Sequence, residues 1–258
     1  MAAPNIRIVL VEPAGALNVG AIARVMKNLG FTQLVLVNPH CDPLGDEARL
    51  MAVHAADVLE QARQVDTLAL ALTGCQQAVA TTARERANQP LYPPEVGLRR
   101  LLPTPTTNRD QAAALIFGPE DRGLSNEELA YAQCGIKIPT NPDYASLNLA
   151  QAVAICCYEL SRLMTSDQAA PEPTRSHAAA MLPTAASLAP LDQLEQLYEH
   201  LEETLLAIGY LYPHTAASRM EKFRAIGHRA QLSSQDIAML RGILRQMGWF
   251  SRPAGRDP

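Results

Sequence analysis

At 258 residues and 48% hydrophobic content, the chain is long enough for one large domain or two smaller ones with a real apolar core. Its 22 basic and 26 acidic residues give a formal charge of -4, which excludes a uniformly basic nucleic-acid binder; such a partner has to be held by a local basic patch. The cysteines at 41, 75, 134, 156 and 157 follow neither zinc-ligand nor disulfide-framework spacing, the N-terminal stretch is interrupted by Asn5 and Arg7, and no apolar run is long enough for a bilayer, so a cytoplasmic location with reduced thiols is expected.

Residues 6–11 form a β-branched run ended by Glu12-Pro13 and Gly15, which predicts a strand. Val19, Ile22, Met26 and Leu29 then recur at helical spacing, with Gly20, Arg24 and Asn28 on another stripe. Residues 34–37 read as a strand, 47–61 as one helix, and 77–81 and 112–117 as further strands. Ser125 with Glu128 three residues on is a capping box that opens a helix. Residues 135–138 are short and extended, and 147–163 carry the pattern of a mostly covered helix. Strands of four to six residues alternating with helices predict an α/β fold, a mainly parallel sheet covered on both faces.

Composition changes at 166–187, where prolines and small residues predict a mobile linker. Leu191, Leu194, Tyr198, Leu201, Leu205 and Ile208 then mark an amphipathic helix with an acidic opposite side, followed by a basic stretch bearing Arg219, Lys222, Arg224 and Arg229. A last helix opens near Ser233 or Ser234. The expected organisation is a domain at 1–165, a linker at 166–187, a helical extension at 188–250 and a disordered tail at 251–258.

Three turns bear polar groups just past strand carboxyl ends, where α/β sheets build ligand sites. In the first, Asn18 is a candidate helix cap, Gly20 allows close approach of a backbone or ligand, and Arg24 is either a solvated surface arginine or a two-pronged grip on an anion. The second, 118–123, packs Glu120, Asp121 and Arg122 between glycines, and a solvated loop explains Asp121 and Arg122 equally well. In the third, Ser146 is a candidate cap and Asn148 points an amide to the same end, with structural and functional roles open for both. Thr81, Thr82, Ala83, Arg84 and Arg86 add hydroxyls and guanidiniums near the same end of the sheet. There is no GxGxxG or GKS/T for a nucleotide, no GxSxG elbow, and the six dispersed histidines assign no metal.

Asn18-x-Gly20-x-x-x-Arg24, the 115–124 segment with Gly118, Glu120, Gly123 and Leu124, and Ile138-Pro139 leading to Ser146-Leu147-Asn148-Leu149 resemble the three ordered motifs of the SPOUT-class RNA ribose 2'-O-methyltransferases. The resemblance is dense over 5–163 and looser from 188 onward. It implies a C-terminal trefoil knot in the catalytic domain, which sequence pattern alone does not yield. S-adenosylmethionine is the implied cofactor, lined by Thr81, Thr82, Ala83, Arg84, Gly118, Glu120, Ile138, Ser146 and Leu147. The implied catalytic set is Arg24 with Asn18, Glu120, Ser146 and Asn148, and Arg24, Arg84, Arg86, Arg219, Lys222, Arg224 and Arg229 are expected to meet RNA. Thr82 stands where the family usually has serine, and Pro119 and Asp121 stand where close relatives have arginines, which weakens an RNA role for 119 or 121. A homodimer acting without metal on the 2'-hydroxyl of cytidine or uridine 32 of tRNA is the expected enzyme. The alternatives are another tRNA position or ribosomal RNA, and a non-catalytic RNA-binding protein of the same fold. Because a guanidinium keeps its proton at neutral pH, Arg24 is expected to stabilise the developing alkoxide and the adjacent phosphate rather than act as a base.

Overall fold

The computed structural model describes residues 5–83, 90–102, 112–169 and 188–250. The chain divides into two compact units, Met1–Ala185 and Ala186–Pro258. The first contains β1 (Ile6–Val11), α1 (Ala16–Asn28), β2 (Gln33–Val37), α2 (Asp46–Ala52), α3 (Ala56–Glu60), β3 (Arg63–Val65), α4 (Leu68–Leu72), β4 (Cys75–Thr81) and β5 (Leu91–Tyr92). There follow α5 (Pro94–Gly97), a 3-10 turn (Leu98–Leu101), β6 (Ala112–Phe117), α6 (Asn126–Leu129), β7 (Cys134–Ile136), a 3-10 turn (Pro142–Tyr144) and α7 (Leu149–Ala169).

Among the described residues seven strands lie in the order β3-β2-β1-β6-β4-β7-β5, with every pairing between them parallel. From β1 the chain runs outward through β2 and β3, then crosses to the other side, where β6 returns beside β1. The join between β1 and β6 is therefore the point where strand order reverses, and the crevice beyond it is the general ligand position of such sheets. All six residues of β6 are buried, as are Ile8, Val9 and Leu10 of β1, because helices cover both faces.

On α1 the stripe of Val19, Ile22, Ala23 and Met26 is buried against the sheet. Gly20 is buried on another side, and a Cβ there would come within 2.1 Å of the Ala48 carbonyl oxygen of α2. The close approach that glycine permits is thus that of a neighbouring helix backbone. The single helix expected over 47–61 is broken into α2 and α3 at Val53, whose φ of 55° is left-handed and cannot continue an α-helix. Lys27 secures the break, donating to the His54 carbonyl at 2.8 Å and pairing with Asp57 at 2.7 Å. Cys75, Cys134, Cys156 and Cys157 are buried, and desolvation pushes the Cys134 thiol up to about 11 and that of Cys157 up to about 12; both stay neutral.

The second unit is α8 (Leu191–Ala207), α9 (Ala216–Ala230) and α10 (Ser234–Phe250). Its buried apolar residues include Leu191, Leu194, Leu197, Tyr198, Leu205, Leu211, Met220, Ile237 and Leu244. Gly227 lets α9 approach Tyr198, since a Cβ there would meet the phenol oxygen at 2.3 Å. Ser233 and Asp236 cap α10 reciprocally, the Asp236 amide donating to Ser233 Oγ at 3.2 Å and the Ser233 amide to Asp236 Oδ2 at 2.9 Å. Residues 166–169, expected to begin the linker, continue α7 instead, while 170–187 and 251–258, expected as linker and tail, lie outside the described residues.

Gly20→Ala is the sharpest test of the α1–α2 contact. In an exposed helix the change stabilises by about 1 kcal/mol. Here the methyl meets a carbonyl that cannot swing away, so a net loss on the order of 1–3 kcal/mol is expected in denaturant unfolding. An unchanged or raised midpoint would show that the helices separate without cost.

Candidate active site

α1 begins without a capping side chain of its own: its N-cap is Gly15 and no side chain there accepts a hydrogen bond. Two amides at its entrance are taken by Glu120, from the loop after β6. Glu120 Oε2 accepts from the Ala14 amide at 3.1 Å, and Oε1 accepts from the Gly15 amide at 3.2 Å. Asn18, expected as a cap, sits inside the first turn of α1 and donates through Nδ2 to Glu120 Oε1 at 2.8 Å. Burial opposes the Glu120 charge, but the hydrogen bonds from Asn18 and from the Ala14, Glu120 and Gly15 amides outweigh it and hold the carboxyl below its ordinary range. A carboxylate at the positive end of a helix is also favoured by the aligned peptide dipoles.

The network reaches the third motif through Asn148. Its Nδ2 donates to Asn18 Oδ1 at 3.0 Å, while its Oδ1 accepts from the Ala150 amide at 2.9 Å. Asn148 is therefore the residue that caps α7; Ser146, the expected cap, is exposed two residues earlier. Asn141 Oδ1 accepts from the Asp143 amide at 3.0 Å, and Thr140 Oγ1 donates to the Ala145 carbonyl at 3.3 Å, so the loop before α7 is shaped by its own side chains.

Gly118 is enclosed by its own loop: a Cβ would lie 2.4 Å from the Leu124 amide nitrogen. Arg122 is not simply solvated. Its guanidinium bonds Glu12 at 2.7 Å and Glu128 at 2.9 Å, tying the end of β1, where Glu12 takes a left-handed φ of 46°, to the start of α6. These two carboxylates raise its pKa further, the Glu128 hydrogen bond most. The capping box at Ser125 is present as read, with Glu128 serving both the Ser125 amide and Arg122.

Three adjacent strands, β6, β4 and β7, end together. Thr81 Oγ1 donates to the Ile116 carbonyl at 3.2 Å and the Thr82 amide donates to the Ile136 carbonyl at 3.0 Å, joining those ends. Of the residues expected to line a cofactor, Thr81, Thr82, Gly118, Ile138 and Leu147 are half-buried and Ala83 is exposed. Arg84 and Arg86 lie outside the described residues. Arg24 is exposed on α1 and makes no hydrogen bond or ion pair among the described residues. It stands six residues, about 9 Å of helical rise, from Asn18, so the carboxamide network does not hold it.

On α9, Arg219, Lys222 and Arg229 are exposed. Arg224 differs: it is bonded through both terminal nitrogens to Glu195 of α8, lies 4.7 Å from the Tyr198 ring centroid, and has an 18% exposed side chain. Its charge is paired inside the helical unit, unlike those of its exposed neighbours. Among the described residues, no three His, Cys, Asp or Glu side chains gather into a metal-binding group, and no helix is long and apolar enough to cross a membrane.

The model of the SpoU rRNA Methylase family matches residues 5–158, and that of the tRNA methyltransferase TrmJ C-terminal domain matches 192–257. The tRNA (cytidine/uridine-2'-O-)-methyltransferase TrmJ of Klebsiella pneumoniae is 40% identical over 242 residues, covering 93% of this chain and 95% of the relative. The tRNA (cytidine/uridine/adenosine-2'-O-)-methyltransferase TrmJ of Pseudomonas aeruginosa is 40% identical over 244 residues, covering 94% and 93%. The crystal structure of TrmJ from Z. mobilis is similar with a TM-score of 0.77 at 31% identity, covering 93% of this chain and 98% of that one. With a parallel sheet of this kind, three motifs joined at its switch point and relatives matching nearly end to end, the chain belongs to the SpoU rRNA Methylase family, among its TrmJ methyltransferases.

Proposed function

We propose that the chain transfers a methyl group from S-adenosylmethionine to the ribose 2'-hydroxyl of nucleotide 32, a cytidine or uridine, in the tRNA anticodon loop. The observation that carries this reading is the hydrogen-bonded join of Asn18, Glu120 and Asn148, one residue from each motif, at the crevice beyond β1 and β6. The substrate class is supported by the names of the relatives, which are tRNA 2'-O-methyltransferases.

The residues present fit the cofactor. Half-buried Ile138 and Leu147 would offer apolar surface to an adenine ring, and the main chain at 81–83 and at Gly118 would offer peptide groups for its polar edge. Thr81, Thr82, Ala83, Gly118, Ile138, Ser146 and Leu147 would hold it together with Arg84 and Glu120; when bound it supplies an electrophilic methyl carbon on a sulfonium. The chain's own part is to orient the ribose oxygen and to stabilise the charge that develops on it. Arg24, with its donors unengaged by the described residues, is the group for that oxygen and the neighbouring phosphate. Asn18, Glu120 and Asn148 are positioning residues that keep the crevice in shape, and the Ser146 hydroxyl would join them.

The distance of Arg24 from the carboxamide network supports a homodimer in which the pocket is completed at the interface. Ile155 and Tyr158, 39% and 61% exposed on α7, would give such an interface apolar surface. The reading includes the trefoil knot in a catalytic domain over 1–165, and RNA contacts by Arg84, Arg86, Arg219, Lys222 and Arg229. The protein acts in the cytoplasm, and no metal takes part.

Arg24→Ala is expected to remain folded and to bind cofactor, while methyl transfer into tRNA at saturating substrates falls by roughly two powers of ten. Arg24→Lys should recover little, since a point charge does not reproduce the planar fork. Single-turnover measurement followed by mapping of the methylated ribose checks both residue and position; near-native turnover by the alanine variant refutes the catalytic role, and a methyl at another nucleotide refutes position 32.

Glu120→Gln replaces an acceptor oxygen with a donor facing the Ala14, Gly15 and Asn18 donors, so both stability and turnover should fall at neutral pH. The folded carboxyl titrates below its unfolded value, near about 4.3. Its stabilising contribution is therefore complete above that value and is lost as pH falls through the lower folded one. The stability gap between native protein and variant should close on acidification; a gap that is the same at pH 7 and pH 3 overturns this account.

A further inference from the structure

Between α8 and α9 the chain reads Gly209-Tyr210-Leu211-Tyr212-Pro213-His214. Gly209, at φ 76°, ends α8 in a Schellman turn: its amide donates to the Leu206 carbonyl at 3.1 Å and the Tyr210 amide donates to the Leu205 carbonyl at 2.9 Å. Leu211 turns inward and is 2% exposed, while Tyr210 and Tyr212 on either side of it stand 54% and 56% exposed. The Tyr212 carbonyl accepts from the Thr215 amide at 2.9 Å and from the Thr215 hydroxyl at 3.2 Å. The His214 ring lies beside the Tyr212 ring with centroids 5.9 Å apart and planes 24° from parallel. One turn into α9, the Arg219 guanidinium sits 5.6 Å from the Tyr210 ring centroid, and exposed Lys222 follows.

A solvated turn has no use for two tyrosine rings; a polar residue at 210 or 212 would serve the backbone equally well. What this turn provides is aromatic surface on a pinned main chain, so little ordering entropy remains to be lost when a flat partner lies against it. The adjacent guanidinium and ammonium select a polyanionic partner. Unpaired nucleobases offer π faces joined by phosphates, whereas a duplex keeps its faces stacked internally. We propose that Tyr210, Tyr212 and His214, flanked by Arg219 and Lys222, form a stacking platform for unpaired bases of the RNA substrate. The proposal rests on the reading of the chain as a tRNA-modifying enzyme and goes beyond charge attraction.

The test uses the full chain and three double variants: Tyr210→Ala with Tyr212→Ala, Tyr210→Phe with Tyr212→Phe, and Arg219→Gln with Lys222→Gln. Each is titrated with tRNA, a single-stranded oligoribonucleotide and a duplex RNA over a range of salt. The alanine pair should lose roughly tenfold or more in affinity for tRNA and the single strand, with duplex binding and salt slope unchanged. The phenylalanine pair, which keeps both π faces, should bind as the native chain does. The glutamine pair should flatten the single-strand salt slope by about 0.7 per cation removed. Native single-strand affinity in the alanine pair, or an equal loss on strand and duplex, overturns the platform; loss in the phenylalanine pair overturns stacking in favour of hydroxyl bonding. Methyl transfer by the native chain, followed in parallel, separates the two readings: its absence overturns the activity, while normal transfer with unaltered binding by the alanine pair overturns only the platform.

Discussion

The structure depends on a helix that cannot finish itself. α1 opens at Gly15 with no capping oxygen of its own, and the Glu120 carboxylate, 105 residues away in sequence from Gly15, takes the amides of Ala14 and Gly15 at its entrance. An unsatisfied helix end would cost on the order of 1 kcal/mol. The solution chosen here places a negative charge at the switch point of the sheet. The same carboxylate oxygen orients Asn18, Asn18 orients Asn148, and Asn148 begins α7. Capping one helix, starting another and shaping the crevice are consequences of a single hydrogen-bond chain.

A second tie runs alongside. Arg122 holds Glu12 and Glu128 at once, so the loops after β1 and β6 are joined by charge as well as by amide bonds. Partly exposed ion pairs contribute little stability individually. Their value in this place is geometric: two loops with several accessible arrangements are held in one, which is the condition under which polar groups stabilise developing charge without reorganising.

Much of the catalytic fold could be read from the sequence because its determinants are local. Buried strands such as 112–117 are continuously apolar, α1 carries its apolar stripe at helical spacing, and Ser125 with Glu128 announces its own cap. What escaped the reading depends on partners far away in the chain. The break at Val53 has no proline or glycine to announce it, and the Lys27 contacts to His54 and Asp57 that secure it come from another helix. Asn18 and Ser146 both looked like caps, and only the folded chain shows Glu120 and Asn148 in those roles. The one available signal was negative: a helix beginning at Gly15-Ala16 with no Ser, Thr, Asp or Asn at its cap needs a distant acceptor. Arg224 counted toward a basic patch because charge counting is blind to pairing, and Glu195 sits on another helix.

The two outermost strands have a consequence for solubility. β3 spans three residues and β5 two, and β3 begins with exposed Arg63 and Gln64, the Arg63 guanidinium folding back onto the Leu70 carbonyl. A sheet whose centre is almost wholly apolar would be a hazardous template if its edges were long, since free backbone groups recruit other chains into cross-molecular pairing. Tapering the sheet to stubs at both margins, one of them guarded by a charge, leaves little ladder for another polypeptide to extend. The apolar centre that supports the active crevice is thus compatible with a high concentration of identical molecules.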